Sequence, residues 1–312
     1  MENFILSLNV VLPLSLMMAL GYVLKLLGLF DDHTLKAMNG VSFKVFLPLL
    51  LFSNIYHTDP TGIFNPKLLL FAAVSILVIF CVLFFIISRI EPNLKTRGAL
   101  IQGIFRSNFI IFGVPVTSAL FGDAGVGVAS LMIAVVIPMY NILAVVALES
   151  CRNQKADYKK ILLNVLKNPL IIGSVIGIVF LTLHIPLPSA VDKTITDISK
   201  IATPLALIVL GGSFNFSSVR RQAKKLTWAV LTKLVIIPCV FLPISILLGF
   251  RDAELVPLLT MFGAPAAVST FTMAQLMDSD SDLAGNIVVF TSIFSTITIF
   301  LWIFVCKQLG VM

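Results

Sequence analysis

Ten mostly apolar stretches follow one another along the chain, separated by short polar interruptions. An apolar run of about 18 residues or more is long enough to cross a bilayer as a helix. The pattern predicts spans at 5–29, 35–56, 67–90, 97–121, 124–150, 168–186, 194–213, 227–249, 254–277 and 283–306. The first is too long for a signal-peptide core and has no basic segment before it, so it is expected to stay as a helix. The longest connection, from about Cys151 to Lys167, leaves no room for a soluble domain. The expected fold class is an all-α polytopic membrane protein.

Two stretches are interrupted at matching places. Phe112-Gly113-Val114-Pro115 in the fourth span comes back as Phe262-Gly263-Ala264-Pro265 in the ninth. Proline removes a backbone donor and glycine accepts strained dihedrals, so each motif is expected to break its helix. Lipid offers no partners for freed backbone groups, which confines such breaks to protein interior or the wall of a water-filled cavity. Matching breaks in two halves of a chain point to a transporter's central site. Pro13 and Pro169, Gly21 and Gly177, Lys44 and Lys200, and Pro48 and Pro204 are all 156 positions apart; the Gly-x-Pro motifs are 150 apart. The expected organisation is a five-span repeat at 1–150, a basic cytoplasmic loop at 151–167 and a second five-span repeat at 168–312. Five is odd, so the second repeat is inverted, and the broken fourth and ninth spans cross near the midplane.

Charge sharpens the class and the orientation. Only 12% of residues are charged, against about 25% in soluble domains. The net charge of +7 falls in short loops, so it sets topology and implies no nucleic-acid partner. With the N-terminus outside, 14 of the 22 Lys and Arg residues lie in cytoplasmic connections and four on the other side. The expected location is a bacterial plasma membrane, and the positive-inside rule places both termini on the non-cytoplasmic face. Asp278, Asp280 and Asp282 fall on the cytoplasmic side, as does the sequon at Asn215-Phe216-Ser217, which is therefore set aside. The four cysteines lack metal-ligand spacing and read as packing residues, so no metal or cofactor is expected.

If Pro115 and Pro265 open new half-helices, the N–H groups of Val116 and Thr117, and of Ala266 and Ala267, point into the gap. A helix N-terminus carries about half a positive charge and favours a carboxylate. Candidate substrate-binding residues are thus Gly113, Pro115, Val116, Thr117, Gly263, Pro265, Ala266 and Ser269. Asn108 and Asn141 join them as intramembrane amides, which serve either as ligand groups or as helix–helix glue. The bland alternative is a pair of proline kinks with no ligand. Arg106 either attracts an anion or snorkels to the headgroups, and snorkelling is the preferred reading. Lys233 reads as an interfacial anchor. No Asp or Glu sits mid-span, the nearest being Glu149 at a span end, which speaks against a carboxylate-based cation pump. No catalytic motif is present and no enzyme is expected.

These residues resemble a known family. Asn108 through Pro115, as Asn-x4-Gly-x-Pro, is similar to the crossover of the auxin efflux carrier family, which includes plant PIN-type carriers and bacterial malate permease-like proteins. Tyr140-Asn141-Ile142-Leu143 resembles that family's fifth-span motif, and Pro48-Leu49-Leu50-Leu51-Phe52 its second-span motif. The resemblance covers essentially the whole chain, although the loop after the fifth span is short. It implies a scaffold and a transport domain, homodimers, and an elevator-like movement of organic anions, with Asn108 and Asn141 at the substrate site. The fold is shared more distantly with sodium–proton antiporters and sodium–bile acid symporters. The expected function is a secondary carrier for a small organic anion, a dicarboxylate or an auxin-like carboxylate. The alternatives are a sodium-coupled symporter of the bile-acid type and a non-transporting receptor on the same fold.

Overall fold

The computed structural model describes residues 2–58, 65–152 and 158–312. Lys155 and part of the connection at 151–167 lie outside the described residues. The helices are α1 (Glu2–Leu26), α2 (Asp32–Tyr56), α3 (Pro66–Ile90), α4 (Leu94–Phe105), α5 (Phe109–Gly122), α6 (Gly125–Ser150) and α7 (Tyr158–Leu166). They continue as α8 (Pro169–Thr182), α9 (Ser189–Gly212), α10 (Phe216–Leu247), α11 (Asp252–Gly263), α12 (Ser269–Leu276) and α13 (Ser281–Gln308). Among the described residues, α1 from Leu8, α2, α3, α6, α9, α10 and α13 are long and apolar enough to cross a membrane. The chain is an integral, multi-pass membrane protein.

Polar residues decide where the helices begin. Asp31, Asn65, Asn93, Asn168, Asn215 and Asp280 each accept from a backbone N–H of the turn that follows, at 2.7–3.2 Å. Asn215 of the discarded sequon thus caps α10. That helix begins at Phe216 rather than near 227, so Arg220, Arg221, Lys224 and Lys225 ride on its first turns. The sixth stretch is a helix of only 14 residues, and α7 occupies part of the predicted loop. Gly122, at φ 57°, separates α5 from α6, a left-handed conformation natural to glycine.

Helix ends meet on one face through charge. Lys95 pairs with Asp278 at 2.5 Å, Lys225 with Glu91 at 2.6 Å and Arg221 with Asp282 at 3.8 Å. Asp280 is the hub: besides capping α13 it accepts from Thr96 Oγ1 at 3.1 Å and Gln222 Nε2 at 2.9 Å. Asp280→Ala removes a cap and strands two donors. It is expected to cost about 2 kcal/mol, against about 1 for Asn215→Ala, which loses a cap. Melting of the detergent-purified variants checks the order; equal losses would show that the hub contributes nothing beyond the cap.

Candidate functional site

Two helix interruptions cross inside the molecule. The first runs from Arg106 to Asn108, between α4 and α5; the second runs from Ala264 to Val268, between α11 and α12. Ser107 and Ala266 form a single antiparallel bridge, and Asn108 N donates to Pro265 O at 2.8 Å. Ala266 N donates to Thr291 Oγ1 at 3.0 Å, and Gln102 Nε2 to Thr270 O at 3.0 Å. The freed backbone groups therefore find partners within the protein, as the bilayer requires.

The causes of the two breaks differ. Ala264, at φ −69° and ψ 155°, is extended as a residue before proline should be, so Pro265 breaks its helix directly. The first break contains neither Gly nor Pro. Arg106 is extended (φ −87°, ψ 122°), and this segment departs from helix where it pairs with the Pro265 segment.

The expected break at Gly113-Val114-Pro115 is therefore corrected. These residues lie inside α5, where Pro115 is exposed and tolerated. Gly113 allows close packing: a Cβ there would sit 2.9 Å from the Phe109 ring and 3.3 Å from Thr260 Oγ1 of α11. Thr117 Oγ1 donates to Gly113 O at 2.6 Å within the helix, and Val116 is buried. Neither residue presents its N–H to a gap. The unpaired N–H groups of α5 belong to its first turn, around Ile110 and Ile111.

A cavity of about 660 Å³, its open side included, lies beside the crossing. Arg106, Ser107, Asn108, Ile110, Tyr140, Asn141 and Ser269 line one part; Leu47, Leu51 and Asn54 of α2 and Thr203 and Ala206 of α9 line another. Of the sequence candidates, the fold brings Arg106, Asn108, Asn141 and Ser269 together on this cavity. Gly113, Pro115, Val116, Thr117, Gly263, Pro265 and Ala266 do not line it. Pro265 and Ala266 instead pair through their backbone with Asn108 and Ser107, which do line it.

Arg106 does not snorkel. It is 4% exposed, its Nη2 donates to Asn141 Oδ1 at 2.5 Å, and its Nη1 lies 2.8 Å from Met273 Sδ. Asn141 is held in turn by its Nδ2, which donates to Ile137 O at 2.9 Å. Lys233 is not an interfacial anchor either. It is 1% exposed and reaches the crossing, donating to Ser107 Oγ and, at 3.5 Å, to Phe262 O. Neither cation makes an ion pair among the described residues, and no acid lines the cavity. The Nδ2 groups of Asn108 and Asn54 are buried without a hydrogen-bond partner among the described residues. Asn54 was not a sequence candidate. Its only signal was an amide in an apolar span, the same signal that marked Asn141.

The sequence profile of a family described as membrane transport protein matches residues 6–303. An uncharacterized transporter of Methanothermobacter thermautotrophicus is 25% identical over 311 residues, covering 95% of this chain and 97% of the relative. An uncharacterized transporter of Methanocaldococcus jannaschii is 24% identical over 307 residues, covering 94% and 97%.

Proposed function

We propose that this chain, which belongs to the membrane transport protein family that comprises the auxin efflux carriers, is a secondary carrier of a small organic anion. One observation carries the reading: Arg106 is buried on the cavity with no carboxylate partner among the described residues, beside the unpartnered amide Nδ2 groups of Asn108 and Asn54. A buried charge is costly until it is paired, and these are the groups that pair a carboxylate. The first-turn N–H groups of α5 add a helix N-terminus of the favourable sign.

Alternating access follows from reading the helices as two inverted repeats. Counted forward by 156, α2 at 32–56 falls on α9 at 189–212, and α6 at 125–150 falls on α13 at 281–308. Packing supports the same exchange. A Cβ on Gly21 of α1 would strike Ile208 O of α9, and one on Gly177 of α8 would come within 3.2 Å of Phe52 O of α2. Gly21 and Gly177 are 156 apart, and so are Phe52 and Ile208. In this reading α1, α2, α8 and α9 form a scaffold. The crossing helices move against it with the anion between them, each carrier paired in a homodimer.

Screening the purified protein by thermal shift against mono-, di- and aromatic carboxylates, with amines and neutral sugars as controls, tests the substrate class. Carboxylates are expected to raise the melting temperature; stabilisation by amines or sugars alone would refute the reading. Asn108→Ala removes no side-chain hydrogen bond among the described residues, so the variant should fold. It should bind the best carboxylate about tenfold more weakly, the worth of one hydrogen bond. Unchanged affinity would take Asn108 out of the site.

A further inference from the structure

Lys233 does not line the cavity that holds Arg106 and the asparagines. It approaches the same crossing from α10, where the π-helical turn Thr232–Ile236 carries it. Such turns insert an extra residue into a helix and re-aim its side chains, frequently at functional sites. The ammonium donates to the Ser107 hydroxyl, which itself donates to Met261 O at 2.5 Å. It also donates to Phe262 O, in the last turn of α11, where the helix dipole is negative. A hydroxyl and the carbonyls that end a broken membrane helix are the oxygen ligands with which carriers of this construction hold an alkali ion. Here an ammonium already occupies them, and like charge disfavours a second cation beside it.

We propose that the Lys233 ammonium is the resident cation of the crossing, so that the protein binds its anion without sodium. This rests on the carrier reading of the same crossing, but its first test is independent of substrate. The measurement is the melting temperature of purified protein, free of carboxylate, in sodium chloride and in choline chloride at equal ionic strength. Wild type is expected to melt alike in both salts. Lys233→Met is expected to melt higher in sodium than in choline, because the vacated oxygens accept an alkali ion. Wild type that melts higher in sodium overturns the proposal, and so does a Lys233→Met variant indifferent to sodium. Should Lys233→Met fail to fold, carboxylate affinity of the wild type decides. Equal affinity in the two salts upholds the assignment, and a loss of about tenfold or more in choline sinks it. The expected salt behaviour in a protein that binds no carboxylate would end the carrier reading and leave the Lys233 assignment standing.

Discussion

Arg106→Met is expected to lose carboxylate binding and yet to melt higher than wild type when no ligand is present. The two effects share one cause. The guanidinium is buried against Asn141 Oδ1 and Met273 Sδ, with no carboxylate partner among the described residues. Two neutral contacts leave much of its desolvation cost standing. An apolar side chain of similar length removes that cost, as replacement of buried charge by packed hydrophobes often does. The same substitution deletes the charge-assisted bonds to the anion, worth about 1.5–3 kcal/mol each and hence a loss of about 100-fold in affinity. Thermal shift with and without the best carboxylate reads both effects. If the empty variant melts lower than wild type, Arg106 is a structural residue, and the charge argument for an anion fails with it.

What the sequence made legible follows how local each cause is. Apolar runs and Asn or Asp caps act within a few residues, so spans such as 35–56, 67–90 and 124–150 lie close to α2, α3 and α6. Pro265 breaks its helix by its own covalent geometry and was readable for the same reason. The break at Arg106–Asn108 has no such local cause. It exists because that segment pairs with Pro265 and Ala266, more than 150 positions away, and the nearby Gly113 and Pro115 offered a false local explanation. One signal in the sequence did contradict it. Counting back 156 from Pro265 leads to Phe109, the first residue of α5, whereas the Gly-x-Pro match required a shift to 150. Lys233 was hidden for a geometric reason. Its place on α10 suggested an interface, and the π-helical turn that carries it to the interior is invisible to a 3.6-residue period.

Gly211→Ala is expected to destabilise the protein strongly, although alanine is the better helix former. α1 and α9 cross with backbone against backbone. A Cβ on Gly211 would lie 1.9 Å from Met18 O, and one on Gly21 would lie 1.9 Å from Ile208 O. Small residues permit such approaches between membrane helices, where packing rather than hydrophobic burial holds the pair. A carbonyl oxygen fixed in a helix cannot rotate aside as a side chain can, so one methyl group must push the helices apart. Overpacking of this kind costs about 1–3 kcal/mol, and the rigidity of both neighbours places this case at the upper end. Gly40 of α2 supplies the control, since nothing lies within 4 Å of a Cβ built there. Gly40→Ala should therefore gain about 0.5–1 kcal/mol from helix propensity alone. Melting curves of the two variants beside wild type separate packing from propensity. A Gly211→Ala protein as stable as wild type would mean that α1 and α9 do not approach this closely, and the reciprocal contacts that support the inverted repeat would lose half their basis.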